Sequence, residues 1–427
     1  MKPSVFIVSY YWPPAGGPGV QRWLKFIKYL PKDDFNITLI VPENPDYAST
    51  DKSLMEEIPE GITTIKVPIK EPSRFLKNLF GKKTKKLQRG FINKKPGLLE
   101  RSLLWIRGNY FIPDARVSWV DAIVQTLESN IAFAKANYLI TTGPPHSVHL
   151  IGLNLKADSK YSNLNWVADF RDPWTTIGYH KSLRLTKTAA QKHFNLEKKV
   201  LQTAGEIIVT SPSTKTEFQT KTKRPITVIT NGFDLNPNHM DQPTGKFKVS
   251  HIGTLLADRN PLGLWDALST LCREIDGFAD DLQLELAGNV SENIVESIKD
   301  AGLEKQLNLL GYVQHDRAVE LMNLSQVLLL IEINSAETNA IIPGKTFEYI
   351  ASRRPIIAIG PAQSDIQGLM EESGSGSYHT YQDESLKPMI LKLYNQYKSG
   401  SLTGNVSDIS RYHRKTLTQQ LIQVLQS

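Results

Sequence analysis

Val5-Phe6-Ile7-Val8-Ser9 runs through Tyr10-Tyr11-Trp12-Pro13-Pro14-Ala15-Gly16-Gly17-Pro18-Gly19 into Val20-Gln21-Arg22-Trp23-Leu24. The first five residues form a short, almost wholly apolar run, the pattern of a strand covered on both faces. From Val20 the period changes, and Val20, Trp23, Leu24, Ile27 and Leu30 fall on one face of a helix. Strand, glycine turn and amphipathic helix together open a parallel α/β sheet. Gly16 and Gly17 let backbone N–H groups approach an anion at the helix start, although a plain glycine turn carries the same residues. A dinucleotide fingerprint sets G-x-G-x-x-G almost directly after the strand. Here Pro13 and Pro14 intervene, and counted from Gly17 the third glycine position is Arg22. NAD is therefore a poor match.

Outward from this stretch the alternation repeats. Strands are expected at 37–41, 138–142, 166–170, 206–210 and 226–230, with helices at 120–127, 147–155, 186–202 and 213–218. Residues 234–246 break the rhythm with Asn, Pro, Asp, Gly and Thr. A second series of strands follows at 248–252, 283–287, 307–310, 327–331 and 355–359, and the chain ends on a polar, helix-prone stretch at 407–426. The expected organisation is an N-terminal Rossmann-like domain over 1–236, a linker over 237–246 and a second Rossmann-like domain over 247–405. A final helix lies within 406–427. Ligands of doubly wound sheets bind at the carboxyl-end loops of the strands.

A length of 427 residues suits two such domains. The single cysteine, Cys272, forbids an intrachain disulfide and a cysteine metal cluster, and it sits in a helical apolar pattern as core. A reducing, cytoplasmic setting fits that best. The longest apolar run, 327–331, falls far short of the ~20 residues of a membrane span. The first strand lacks a cleavage site, so a signal peptide is not expected. The net charge of +7 is local: residues 70–95 hold ten Lys or Arg against Glu71, leaving the rest of the chain slightly negative. This argues for one basic surface and against a nucleic-acid binder. Phe75, Leu76, Leu79 and Phe80 form an apolar stripe among Lys77, Lys82, Lys83, Lys85 and Lys86. Such a segment suits an anionic membrane surface, or simply a solvated insertion.

Several polar groups fall at strand ends. Asp169-Phe170-Arg171-Asp172-Pro173-Trp174 places three charges there, either as a site or as a structural Asp–Arg pair. It is not the D-x-D pair of a metal-dependent diphosphate site. His146 follows Thr142-Gly143-Pro144-Pro145. In the second half Gly253-Thr254 leads to Asp258-Arg259-Asn260-Pro261, where Asn260 is expected to cap a helix beginning at Pro261. Arg259 could neutralise a diphosphate. Pro343-Gly344-Lys345-Thr346-Phe347-Glu348 opens another helix, with Lys345 suited to a phosphate and Glu348 to a ribose diol. A capped surface helix reads the same way.

On these residues the chain resembles the family 4 glycosyltransferases of GT-B fold, especially bacterial members that build surface polysaccharides. The resemblance spans nearly the whole chain. It rests on Pro13-Pro14-Ala15-Gly16-Gly17, on Asn109 with Pro113-Asp114 and Trp119, and on the 169–174 motif. It continues with Thr230-Asn231-Gly232-Phe233-Asp234, with Gly253-Thr254 and 258–261, and with Pro343-Gly344-Lys345 and Phe347-Glu348-Tyr349. It implies two domains facing a central cleft and a retaining, metal-independent transfer without cofactor, the nucleotide sugar being a substrate. The nucleotide would sit on the second domain, the glycan or lipid-linked acceptor on the first, and the last helix would cross back to the first. Glu348 would hold the ribose, and Arg259 and Lys345 the leaving diphosphate. Gly16, Gly17, Gly253 and Thr254 would lie on the donor side.

Three departures stand out. The family's first glutamate, eight residues before Glu348, is Ala340, which leaves Glu337 or Asn339 for the donor sugar. The lysine expected shortly after Arg259 is absent among Leu262, Gly263, Leu264 and Trp265. Arg171 stands where many relatives carry a histidine, so Asp172 and His146 become the catalytic candidates beside Arg259 and Lys345, with Asp169 and Arg171 as further acceptor or sugar contacts. A lipid-linked acceptor would place the protein at the inner face of the membrane. An epimerase or phosphorylase of the same fold, or a non-catalytic nucleotide-sugar-binding scaffold, are the other readings.

Overall fold

The computed structural model describes residues 2–71, 97–234, 243, 245–405 and 407–427. Phe75, Phe80, Lys77, Lys82, Lys83, Lys85 and Lys86, and most of the linker, lie outside the described residues. The chain divides into two compact units, Met1–Asn231 with Arg414–Ser427, and Gly232–His413.

In the first unit β1 (Ser4–Ser9), β2 (Asn36–Pro42), β3 (Thr63–Val67), β4 (Tyr138–Gly143), β5 (Asn165–Phe170), β6 (Glu206–Val209) and β7 (Ile226–Val228) form one parallel sheet. Its order is β3-β2-β1-β4-β5-β6-β7, which puts the topological switch between β1 and β4. Strand period two divides the apolar residues between two cores. Val5 and Ile7 pack with Val20, Trp23, Leu24 and Ile27 of the helix Pro18–Tyr29 and with Leu417 and Leu421 of the helix Arg414–Gln426. Phe6 and Val8 pack on the other side with the helices Val120–Glu128, His149–Lys156 and Lys187–Thr203. Each fully buried Val, Leu or Ile contributes about 1.5–3 kcal/mol. The helix His149–Lys156 comes so near β5 that a Cβ on Gly152 would lie 2.1 Å from the Trp166 ring.

The second unit repeats the plan. β8 (Phe247–Ile252), β9 (Leu282–Ala287), β10 (Leu307–Gly311), β11 (Val327–Ile331), β12 (Ile356–Gly360) and β13 (Gly376–Thr380) are parallel in the order β10-β9-β8-β11-β12-β13. Helices Leu262–Glu274 and Leu386–Lys398 cover one face, with Cys272 half-buried beside that core. Helices His315–Asn323, Lys345–Ala351 and Asp365–Ser373 cover the other. No helix among the described residues is long and apolar enough to cross a membrane.

Some details differ from the sequence expectation. β3 and β13 were not expected, and neither was the helix Leu98–Tyr110. Asn260 caps no helix: the helix begins at Leu262, while the Asn260 side chain accepts from Trp265 Nε1 and donates to Ser297 Oγ, both at 2.8 Å.

Candidate functional site

In the first unit the polar groups gather where β1, β4 and β5 end. The loop after β1 is stitched down by Gly16 N–H donating to Ser49 O at 3.0 Å and Asp51 N–H to Pro14 O at 2.8 Å. Gly17 has φ 98°, a conformation that suits glycine, and a Cβ there would meet nothing within 4 Å.

Asp169 corrects the sequence expectation. It is fully buried, and its carboxylate accepts from Arg22 Nη2 at 2.9 Å, Trp23 Nε1 at 2.7 Å and Thr142 Oγ1 at 2.8 Å. Burial opposes ionisation, but the Arg22 charge and these donors hold the group below its usual range. Asp169 is thus a structural anchor with no side exposed to a sugar. Arg171 is not its partner. The Arg171 guanidinium instead donates to the carbonyls of Gly19, Pro144 and Gly143, and lies over the Tyr11 ring at 5.4 Å. It ties three loops together, and those carbonyls leave it little to offer an acceptor.

Asp172 differs from both. It is half-buried and makes no hydrogen bond among the described residues; burial raises its pKa while Arg171 opposes. His146 is 4% exposed and stacks on Trp174 with ring centroids 5.1 Å apart. Both of its ring nitrogens lack a partner. Burial, then the charges of His149 and Arg171, keep it far below the usual histidine value. His149 is bonded at Nδ1 to Thr141 Oγ1 at 2.9 Å, unpartnered at Nε2, and pushed by burial down to about 3. The motif residues Asn109 and Asp114 are staples: Asn109 Oδ1 accepts from Thr186 N, and Asp114 from Ser147 N and Oγ, each at 2.8 Å.

In the second unit the groups lie at the ends of β8 and β11. Tyr349 Oη accepts from Ile252 N–H at 2.8 Å and donates to Ile252 O at 3.1 Å, which fixes the helix Lys345–Ala351 against β8. Lys345 Nζ is thereby held 3.2 Å from His251 Nε2 and 3.3 Å from Ile252 O. Gly253, with φ 129°, makes room, since its Cβ would lie 3.2 Å from Lys345 Nζ. His251 donates from Nδ1 to Leu329 O at 3.0 Å, leaving Nε2 to accept from the ammonium; burial and then Lys345 keep it neutral. Burial, then the Arg259 charge, pull Lys345 down to about 7, with Glu348 opposing. Arg259 donates to Thr254 O at 3.1 Å. The N–H groups of Thr346 and Phe347 are used by Pro343 O and Gly344 O, so the positive charge comes from side chains more than from the helix start. Glu348 is half-buried, with Oε1 4.0 Å from His315 Nε2. Asn339 Nδ2 donates to Ala362 O at 3.0 Å, while Glu337 N–H donates to Ser335 Oγ at 3.3 Å.

The sequence reading missed Glu332. It stands just after β11, 4% exposed, with Oε2 accepting from Tyr378 Oη at 2.8 Å and Oε1 from Ser364 Oγ at 3.0 Å. Burial pushes it up to about 7 against the Tyr378 and Ser364 bonds and the Arg259 charge. A charge closing the apolar run Val327-Leu328-Leu329-Leu330-Ile331 was the available signal.

No family profile and no curated protein sequence matches the chain. Solved structures do. A sucrose-phosphate synthase from Thermosynechococcus elongatus aligns with a TM-score of 0.63 at 14% identity, covering 100% of this chain and 98% of that one. HepE of Anabaena, solved with UDP and glucose, aligns at 0.60 and 16% identity over 99% of both chains. WaaG, a glycosyltransferase involved in lipopolysaccharide biosynthesis, aligns at 0.53 and 12% identity over 97% of this chain and 98% of that chain. With its two doubly wound parallel sheets, of seven and six strands, the chain has the GT-B fold of these structures.

Proposed function

We propose that the chain is a retaining, metal-independent glycosyltransferase moving a hexose or related sugar from a nucleotide sugar to a glycan acceptor. The observation that carries this reading is the placement of Lys345 and Arg259 around Gly253, with Glu348 one turn along from Lys345. Two cations in a partly desolvated setting suit the charge that builds on a departing diphosphate. In the free protein burial and the Arg259 charge make the Lys345 charge costly, and an incoming polyanion relieves that cost. Glu348 offers its carboxylate to the ribose diol, and Gly253 and Thr254 line the donor side. In the first unit Asp172, half-buried and without a hydrogen bond among the described residues, and His146, with two unpartnered ring nitrogens, are assigned to the acceptor or the transferred sugar.

The acceptor is proposed to be lipid-linked and the pathway to be envelope polysaccharide assembly, with the protein peripheral on the inner face of the membrane. Likeness to WaaG supports this, as does the basic stretch in the sequence. Incubation with nucleotide sugars and lipid-linked glycans tests it. The expected product keeps the donor's anomeric configuration and forms in the presence of a chelator. An inverted product, or transfer abolished by the chelator, would count against the mechanism.

A further inference from the structure

Resting on the diphosphate site proposed above, we propose that Glu332 is a positioning residue for Arg259, one that takes a proton from solvent when a nucleoside diphosphate binds and returns it on release.

The geometry sets Glu332 apart from Asp169, the buried carboxylate of the other unit. Among the donors to Asp169, Arg22 and the Trp23 N–H have no acceptor capacity, so protonating that carboxylate would set a proton against a proton. The two oxygens of Glu332 meet hydroxyls only, from Tyr378 and Ser364. A hydroxyl donates to a carboxylate and can turn to accept from a carboxylic acid. This network therefore survives both protonation states. Tyr378 has a second acceptor ready, the Pro361 carbonyl at 2.6 Å.

The carboxylate is also held where it can act on Arg259. Tyr381 Oη donates to the Glu332 carbonyl at 2.6 Å, fixing the backbone. Glycine at position 360 is what admits the side chain, since a Cβ there would fall 2.2 Å from Glu332 Oε2. The groups facing Glu332 come from four elements: Arg259 from the loop after β8, Ser364 and Asp365 from the start of the helix Asp365–Ser373, Tyr378 from β13, and Tyr381 just beyond it. Arg259 favours its ionised form and Asp365 opposes it. In the empty site the ionised carboxylate offsets the Arg259 charge. A diphosphate placed on Arg259 and Lys345 adds negative charge, and repulsion drives Glu332 to protonate. The ligand then replaces Glu332 as the negative charge acting on the guanidinium. The free group titrates at about 7, so the exchange falls at physiological pH.

The test is calorimetric titration of the full chain with the diphosphates of adenosine, guanosine, cytidine, uridine and thymidine, in buffers of different ionisation enthalpy. The wild type is expected to take up protons on binding, and its affinity to fall up to ~10-fold per pH unit above neutrality for each proton taken up. Glu332→Gln, which keeps an acceptor for Tyr378, should bind with fewer protons taken up and a flatter pH dependence. Lys345→Met should remove the separate share of the lysine. Tyr378→Phe deletes a bond to the ionised form and should move the uptake to higher pH. A merely structural Glu332 would alter thermal stability and leave the proton count unchanged. Equal uptake in wild type and Glu332→Gln, or an unmoved profile in Tyr378→Phe, overturns the proposal while leaving the diphosphate site standing. Absence of binding by any of the five in the wild type overturns both.

Discussion

Arg22, on the first helix, and Asp169, at the end of β5, meet at 2.9 Å with both side chains buried, although 147 residues separate them. The pair clamps the helix after the glycine loop to the middle of the first sheet. Removing one partner leaves an uncompensated buried charge, which costs about 3–5 kcal/mol. Arg22→Ala and Asp169→Ala should therefore each unfold at lower denaturant concentration, and the double variant should lose less than the sum of the two. Full additivity in equilibrium unfolding would show that the two side chains do not act as a pair.

The buried histidines of the same unit predict acid sensitivity. His149 is held at about 3 by burial, against ~6.5 in an unfolded chain. A depressed value means the unfolded state binds the proton first. Stability from keeping this ring neutral is complete above ~6.5 and is lost as pH falls toward the folded value. Unfolding free energy should decline from pH ~6 to pH ~4, and less steeply in His149→Gln. Identical slopes would remove His149 from the account.

Glu348 carries a prediction about the ligand. Holding the ribose diol as proposed, its carboxylate would make charge-assisted hydrogen bonds worth about 1.5–3 kcal/mol. Glu348→Ala should weaken a ribonucleoside diphosphate by roughly 10–100-fold. The corresponding 2′,3′-dideoxy diphosphate should bind the two proteins alike. Equal loss for both ligands in a titration would place Glu348 elsewhere.

What the sequence disclosed followed from burial. β1, β4, β5 and β11 are covered on both faces, so they read as apolar runs, and the helix Pro18–Tyr29 shows its buried stripe. β3 and β13 are edge strands with a neighbour on one side. Thr63, Thr64 and Lys66 are exposed, and Gly376-Ser377-Tyr378-His379-Thr380 has no apolar alternation. Asn260 fits a local capping rule, yet Trp265 and Ser297 claim its side chain. Lys345 and Arg259 could be singled out as candidates because each stands in a loop-to-helix motif. Glu332 could not, because its environment comes from Ser364 and Tyr378, 32 and 46 residues away. The partner of Asp169 was hidden for the same reason, Arg22 lying 147 residues upstream.

The central claim is that the second unit holds a nucleoside diphosphate on Lys345, Arg259 and Glu348. Thermal unfolding against a panel of nucleotides and nucleotide sugars, with NAD and NADP as controls, tests it most directly. The account predicts that one nucleoside diphosphate and its sugars raise the melting temperature, and that the rise is lost in Glu348→Ala. No rise with any nucleotide sugar, or a rise with NAD alone, would contradict it.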